Sequence, residues 1–422
     1  SISVVNEEKQ EETKLVGYGD FEITFDSQQL VQANIDAQKN LIENEQQNTL
    51  NDTISSDYVE QDYKIKFSPD LILGNPGYST FFGVQGVTQM LFSDVLGDHQ
   101  IYFQANLLLD LRNSQFYLAY NYLPNIIDYS FSIYHTSAFV LLNDNNFYRF
   151  RNFGVGATAS YPFDLFNRLE INANLMFLSK ENFLSKENID IGSLDRYLIV
   201  PKIKYVHDNT LLGYYGPRDG TRYFLEIYGT PKLGSNGIDF ATFRADYRTY
   251  IPLGMYFGFA LRGAGGASFG TNPQKFFLGG TDNWINRSFS NGRLPFENPE
   301  DFAFMSFEMP LRGWAVSEVL GNKFLIGNFE FRFPFLTALI AGPLPVLIQG
   351  INGAIFFDIG TAFDDKIVGS SGNKELGNVL MSSGLGIRSY FLGIPWKIDI
   401  AWRNEIYSWS SPYYLFSIGY DF

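Results

Sequence analysis

The sequence predicts an all-β fold, a 16-stranded antiparallel transmembrane β-barrel with one long loop inside its lumen. Strict alternation of apolar and polar residues over about ten positions marks a strand with one apolar and one polar face. A soluble sandwich buries the apolar face against a second sheet, whereas a membrane barrel turns it toward lipid. Charges on the polar faces and aromatic residues near the strand ends favour the barrel, because a wet lumen tolerates charge and interfacial girdles are aromatic.

The clearest alternation lies at the C-terminus, where one strand face carries Tyr414, Phe416, Ile418, Tyr420 and Phe422. Sixteen segments have a comparable pattern, and an even number fits a single-chain bacterial barrel. Pro69 in the first segment suggests an edge or an irregular start. The predicted strands are 62–73, 77–93, 99–112, 115–123, 127–140, 146–162, 167–182, 196–209, 220–231, 238–253, 255–270, 323–335, 350–363, 378–391, 394–406 and 413–422.

Composition excludes several other classes of protein. The 422 residues contain no stretch of about 18 apolar residues, which excludes a helical membrane protein. The absence of Cys excludes disulfides and Cys-based metal sites, and three His argue against a His-rich metal site. The net charge of -14 disfavours nucleic-acid binding. We therefore expect no cofactor, no metal and no nucleic-acid partner.

The first 61 residues differ from the rest, because they are rich in Gln, Glu, Asn and Ser. We predict two parts, a polar and partly disordered periplasmic linker or tether at 1–61 and the barrel at 62–422. The chain begins at Ser1 with no charged-then-apolar leader, so we expect either that a signal peptide has been removed or that this is a segment of a longer protein.

Several motifs follow one another from the longest connection, about 271–322, to the C-terminus. The connection begins with Leu278-Gly279-Gly280 and later contains Leu311-Arg312-Gly313-Trp314. The strands after it carry, in order, Glu330-Phe331-Arg332-Phe333-Pro334, Phe356-Phe357-Asp358-Ile359-Gly360 and Gly384-Leu385-Gly386-Ile387-Arg388, and the chain stops at Phe422.

This order resembles the barrel of the outer-membrane protein assembly superfamily that includes BamA and TamA. That family has a Leu-Gly-Gly start to its sixth extracellular loop and a Val-Arg-Gly-Phe or -Tyr tip. Glu-x-Arg-Phe-Pro, Phe-x-Asp-x-Gly, Gly-x-Gly-x-Arg and a terminal aromatic residue follow. The match is most specific over 275–422. A looser likeness is to barrels fused behind a TolB-like propeller, which often carry a long insertion in this loop.

The resemblance implies that Arg312 at the loop tip pairs with Asp358 on the barrel wall, with Gly313 and Trp314 beside it. The alternation independently directs Asp358 into the lumen, opposite Ile355, Phe357 and Ile359. Glu330, Arg332 and Arg388 are the nearest alternative partners. The tip lies about thirty residues after Gly279 and Gly280, so the nearer Asn286-Arg287-Ser288-Phe289 is a competing tip.

The last strand is the second candidate site. The resemblance implies that it meets the first strand at a weakly paired seam, where an incoming client strand adds by β-augmentation. The alternative is that Phe416, Gly419, Tyr420 and Phe422 form only a sorting signal for the barrel's own assembly.

The predicted function is insertion or translocation of outer-membrane or surface proteins in the outer membrane of a Gram-negative bacterium, without covalent catalysis. The predicted partners are membrane lipids, client proteins and periplasmic or lipoprotein subunits. Two alternatives are a passive pore or transporter and a structural anchor for a periplasmic complex. A membrane-embedded lipase is a weaker one, because Gly266-Ala267-Ser268-Phe269-Gly270 matches G-x-S-x-G but no helical pattern follows Ser268.

Overall fold

The computed structural model describes residues 63–419, with gaps at 80–82, 109–113, 144–145, 185–189, 214–215, 235–236, 255, 291–297, 305, 342–345, 366–377, 392–393 and 405–407. The predicted tether at 1–61 lies outside the described residues and stays a prediction, and so do the predicted roles of Tyr420 and Phe422. Within the described ranges, every helix is too short or too polar to cross a membrane.

Sixteen strands pair antiparallel in chain order to form one continuous wall, which confirms the predicted fold class. A further short strand, β9 (Leu211–Gly213), pairs with the start of the strand that follows it in the chain. The wall consists of β1 (Ser68–Ser79), β2 (Gly83–Ser93), β3 (His99–Leu108), β4 (Gln115–Tyr122), β5 (Asp128–Asn143), β6 (Asn146–Pro162), β7 (Asn167–Leu184), β8 (Asp190–Asp208), β10 (Gly216–Thr230), β11 (Phe240–Leu253), β12 (Phe257–Gly270), β16 (Lys323–Ala341), β17 (Val346–Phe363), β18 (Val379–Phe391), β19 (Ile394–Arg403) and β20 (Tyr413–Ile418).

The strand bounds differ from the prediction mainly near prolines and glycines. β1 starts six residues later than predicted and continues through 74–76, the gap between the first two predicted strands. β16 runs past its predicted end at 335, because a register shift between Pro334 and Leu336 accommodates a residue that lacks an N–H. β20 stops at Ile418, where Gly419 takes a positive φ of 111°.

The two faces of the wall have opposite chemistry, as the alternation predicts. On β17, Ile355 and Phe357 are 45% and 38% exposed, whereas Phe356 and Asp358 are 1% and 0% exposed. The outward face is therefore apolar, and the inward face carries the buried charges. This is the distribution of a barrel that has lipid outside and a polar interior.

The connection between β12 and β16 is folded, whereas the sequence predicted only a loop. It contains a three-stranded sheet of β13 (Phe276–Leu278), β14 (Ser306–Glu308) and β15 (Val319–Gly321), and the helix α1 (Pro299–Ala303). Leu278 and Leu311 of this connection are buried with Phe324 and Ile326 of the wall. The connection, which we call the lumenal loop, therefore shares a hydrophobic core with the inner face of the wall.

The two ends of the wall are not joined by a strand pairing among the described residues. β1 pairs with β2, and β20 pairs with β19. Side chains on both faces of β1 are exposed from Ser68 to Gly74. In the described part of the wall, no strand pairing therefore joins β1 to β20, and we call this unpaired boundary the seam.

Candidate functional site

Two glycines at the start of the lumenal loop allow its backbone to double back on itself. Gly279 and Gly280 have φ angles of +126° and +82°, a region that favours glycine. A Cβ on Gly279 would lie 1.9 Å from the carbonyl oxygen of Ala315, so no other residue fits there. The Gly280 N–H donates to Trp314 and its carbonyl accepts from Leu311. These two bonds fix Leu311 and Trp314, which lie on either side of Arg312, the residue predicted at the loop tip.

Arg312 lies against the inner face of β17 and contacts Asp358 through three donors. Its Nε and one terminal nitrogen donate to the two carboxylate oxygens at 2.8 and 2.9 Å, and its backbone N–H donates at 3.1 Å. Asp358 and Arg312 are 0% and 2% exposed. The structure therefore brings together the arginine and the carboxylate that the motifs singled out, in a bidentate geometry removed from water.

A second buried carboxylate holds the other side of the same guanidinium. The remaining terminal nitrogen of Arg312 donates to Glu330 of β16 at 2.9 Å. Glu330 also accepts from Arg332 at 2.7 Å and lies 3.6 Å from Arg388, which in turn donates to Asp399 at 2.8 Å. The three charges predicted as alternative partners thus belong to one network with Arg312.

The surroundings of Arg312 favour its charged form. Burial by itself lowers the pKa of Arg312, but the adjacent carboxylates of Asp358 and Glu330 outweigh burial and raise it. Its guanidinium carbon lies 3.5 Å from the ring centroid of Phe356, which adds a cation–π contact. The amide of Asn328 donates both to Asp358 and to the Pro310 carbonyl, each at 2.8 Å, and so ties the wall to the loop beside the tip.

Gly313 and Trp314 continue the contact with the wall. Gly313 has a φ of +89°, and a Cβ there would lie 3.1 Å from the Cβ of Ala401 on β19. Its carbonyl accepts from Arg403 at 2.6 Å. The Trp314 indole donates to the Met381 carbonyl at 3.2 Å. The tip therefore contacts four consecutive wall strands, β16 to β19.

The lumenal loop has a second attachment to the wall, which the sequence motifs do not predict. Helix α1 reaches the inner face of β6 to β8, where Glu300 accepts from Arg196 at 2.8 Å. Phe302 packs on Phe150 with 5.8 Å between the ring centroids. Burial raises the pKa of Glu300 above its ordinary value. Because β16 to β19 and β6 to β8 are distant in the order of the wall, the loop crosses the lumen.

A third group of charges, also missed, lies between the two attachments. Arg262 of β12 donates to Asp246 of β11 at 2.7 Å and to the Met309 carbonyl of the loop. Arg244 of β11 donates to Glu308 of β14 at 2.7 Å. The alternation of charges on β11 was the available signal, but the loop residues that meet them have no periodic pattern.

Two further predicted features lie away from this network. Arg287, the competing tip residue, lies 5.6 Å from the ring centroid of Phe289. The Ser268 hydroxyl oxygen is buried and accepts from Thr242 and from the Gln274 backbone N–H, both at 2.8 Å. Neither of these two partners is a histidine that could act as a base. The G-x-S-x-G sequence also ends strand β12 without the helix that follows the serine in an esterase.

Two residues of the predicted terminal signal lie at the outer side and end of β20. Phe416 stacks on Trp396 of β19 with 5.0 Å between the ring centroids. Gly419 donates its N–H to the Pro395 carbonyl at 2.9 Å. No group of three or more His, Asp or Glu side chains suited to a metal ion occurs in the described ranges.

The comparison with known families agrees with this geometry. The Omp85 superfamily domain matches residues 112–422, which include the lumenal loop and thirteen of the sixteen wall strands, from β4 to β20. The chain belongs to the Omp85 superfamily. No curated protein sequence matches the chain.

BamA and CdiB are among the proteins whose solved structures are similar to this Omp85 chain. BamA from Haemophilus ducreyi lacking POTRA domains 1–3 is 14% identical with a TM-score of 0.56, over 84% of this chain and 70% of that chain. CdiB from Escherichia coli is 10% identical with a TM-score of 0.48, over 85% and 63%. CdiB from Acinetobacter baumannii is 13% identical with a TM-score of 0.47, over 85% and 60%. The chain thus spans less than two thirds of either CdiB chain.

Membership in the Omp85 superfamily confirms the predicted family and location. Omp85 proteins are outer-membrane β-barrels of Gram-negative bacteria that insert or translocate other proteins. The wall of this chain therefore lies in the outer membrane with its apolar face toward lipid. The likeness to BamA is a likeness of fold.

Proposed function

We propose that this Omp85 barrel inserts client proteins into the outer membrane, or translocates them across it, through the seam between its first and last strands. Client outer-membrane or surface proteins are its partners, together with periplasmic or lipoprotein subunits. The work is non-covalent, and no cofactor takes part. In this proposal Arg312, Asp358 and Glu330 form a latch that fixes the lumenal loop to the wall while the seam changes its pairing.

The observation that carries the proposal is the absence of pairing between β1 and β20 in the described part of the wall. A strand edge in a bilayer is unfavourable, because each unsatisfied backbone group facing hydrocarbon costs several kcal/mol. A strand that adds to the edge removes this cost by β-augmentation. An open seam is therefore a strand acceptor.

The lumenal loop argues against a passive pore. It is bound to β16 to β19 at Arg312 and to β6 to β8 at helix α1, so it crosses the space that an open channel would need. A structural anchor for a periplasmic complex is the remaining alternative. The anchor and the insertase differ in one respect, because only the insertase needs the seam to change its pairing.

A disulfide lock across the seam tests the proposal. The chain contains no Cys, so engineered pairs have no background. Cysteines are placed at Leu71 or at Ile72, which point to opposite faces of β1, and each is combined with Ile418→Cys on β20. Assembly of outer-membrane proteins is measured in cells with and without oxidation. We expect the oxidised pair to stop assembly and the reduced pair to restore it.

The matched control locks two strands that are already paired. Thr88→Cys on β2 and Ala105→Cys on β3 face each other in the wall, so their disulfide leaves the seam free. Oxidation of this control pair is expected to leave assembly unchanged. If the seam lock forms fully and assembly continues at the control rate, the insertase proposal is wrong and the anchor is favoured.

A further inference from the structure

Four residues of the lumenal loop, Asn283–Asn286, lie along the free edge of the last strand. The Ile285 N–H donates to the Phe416 carbonyl at 2.8 Å, and the Ile418 N–H donates to the Asn283 carbonyl at 3.2 Å. These two bonds bracket an antiparallel bridge between Trp284 and Ser417. We call Asn283–Asn286 the edge segment.

The side chain of Asn286 extends this pairing by imitating a peptide group. Its Oδ1 accepts from the Phe416 N–H at 2.8 Å, and its Nδ2 donates to the Tyr414 carbonyl at 2.8 Å. Donor and acceptor are thus presented to the strand edge side by side, as a neighbouring strand would present them. The edge segment satisfies backbone groups of three alternate residues, Tyr414, Phe416 and Ile418.

These backbone groups point away from β19. In an antiparallel ladder, successive residues direct their backbone groups to opposite sides, so those of Leu415 and Ser417 face β19 and those of Phe416 and Ile418 face the seam. The last strand of an even-numbered wall runs antiparallel to the first, and the edge segment also runs antiparallel to β20. The edge segment therefore lies on the side of β20 where β1 would pair to close the barrel. It also runs in the direction that β1 would have there.

The segment is held in this place by packing on the inner face. Trp284 is 1% exposed and packs in a buried cluster with Phe356, Ala401 and Leu415 of the wall. Its indole N–H donates to Asn286 Oδ1 at 2.7 Å, which fixes the amide orientation used on β20. The packing and the hydrogen bond of Trp284 therefore hold the edge segment against β20.

We propose that Asn283–Asn286 is an intramolecular cap on the last strand, which occupies its edge at rest and leaves before another strand pairs there. The cap stands in for a strand, so the partner that replaces it is an extended segment antiparallel to β20. That partner accepts from the N–H groups of Phe416 and Ile418 and donates to the carbonyls of Tyr414 and Phe416. That a client strand is this partner rests on the proposed function, whereas the resting cap does not.

The length of the cap suits a displaceable contact. It is four residues long and is joined to β20 by the four hydrogen bonds described above, two of them through one side chain. A strand that pairs along all of β20 satisfies the same groups and adds cross-strand side-chain contacts beyond them. A longer strand therefore outcompetes the cap, while the edge of β20 from Tyr414 to Ile418 is not left unpaired in the resting state.

Hydrogen exchange at individual amides tests the resting cap in the full chain reconstituted in lipid nanodiscs. Asn286→Ala removes two of the bonds to β20, and we expect the amides of Phe416 and Ile418 to exchange about tenfold faster or more. The amides of Leu415 and Ser417, which face β19, are expected to keep their rates. Trp284→Phe keeps the buried ring but loses the indole N–H, and it serves as a milder second variant.

The control is Asn272→Ala, a residue of the same loop whose side chain contacts Thr271 and not β20. It is expected to leave all four amides unchanged. The cap is refuted if Phe416 and Ile418 exchange as fast as unprotected amides in the unmodified protein. It is also refuted if Asn286→Ala and Trp284→Phe leave the alternating pattern of protection intact.

A disulfide that locks the cap separates this inference from the proposed function. Ile285→Cys and Phe416→Cys face each other across the pairing, and the reduced form of the same variant is the control. We expect oxidation to stop outer-membrane protein assembly. If this lock leaves assembly unchanged while the seam lock between β1 and Ile418 stops it, the cap does not regulate the seam and the proposed function stands. If neither lock has an effect, both proposals fail.

Discussion

The contact between the loop tip and the wall is tested most directly by Arg312→Ala. The substitution removes three donors from Asp358, which is fully buried and keeps only the Asn328 amide among the partners described above. Glu330 keeps Arg332, so its loss is smaller. Removal of one partner from a buried ion pair costs about 3–5 kcal/mol, because the other charge stays buried without compensation. We expect the free energy of unfolding to fall by about that amount.

The assay is urea unfolding of the purified chain in lipid bilayers, followed by tryptophan fluorescence. Arg168→Ala is the control, since Arg168 pairs with Glu170 at 2.6 Å on an exposed part of the wall and such pairs contribute about 0–1 kcal/mol. Arg312→Lys keeps the charge but loses the bidentate geometry, and we expect an intermediate loss. If Arg312→Ala destabilises the chain no more than Arg168→Ala, the pair does not fix the loop.

Four further substitutions test other parts of the structure. Gly313→Ala forces a side chain into a positive φ beside β19, and we expect a loss of about 1–3 kcal/mol in the same unfolding assay. Gly97→Ala, with φ of +76° but open space around it, is expected to lose about 1 kcal/mol. Glu300→Ala removes the ion pair between helix α1 and Arg196 of the wall, so conductance in planar bilayers should rise, and an unchanged conductance would contradict a role of this ion pair in blocking the lumen. Hydrogen bonds from Thr271 lower the pKa of Asp239, so its stabilisation is present above the unfolded value of 3.8 and is lost as pH falls through the lower folded pKa. In Asp239→Asn, the free energy of unfolding should therefore fall less steeply as the pH is lowered below 3.8. An unchanged pH dependence would show that Asp239 does not contribute to stability in this way.

The strands of the wall were predictable because each one has lipid on one face and the polar lumen on the other. A side chain on a barrel strand faces either lipid or the lumen, so the chemistry alternates with the backbone. The predictions 167–182 and 255–270 accordingly differ by two residues from β7 and β12. The start of β17 was placed four residues too late, at 350 and not at Val346, because the apolar run before it does not alternate.

The Arg312–Asp358 contact was predictable in part because both residues stand in recognisable motifs. The attachment of helix α1 was missed, although the sequence carried a signal for the helix itself. Asn298 is followed by proline and acidic residues, and its backbone N–H donates to the Asp301 carboxylate at 2.9 Å, as at many helix starts. Nothing local, however, links Glu300 to Arg196, which lies 104 residues away.

The edge segment has no sequence signature, because a strand edge is recognised through backbone groups that every residue carries. Its position nevertheless follows from residues that the sequence did single out. Gly280 bonds Leu311 and Trp314 on either side of the tip, and Asn283 follows only three residues later. The latch at Arg312 therefore limits where the edge segment can lie. We expect Arg312→Ala to accelerate exchange at the Phe416 amide as well, and equal rates in the two proteins would show that latch and cap are independent.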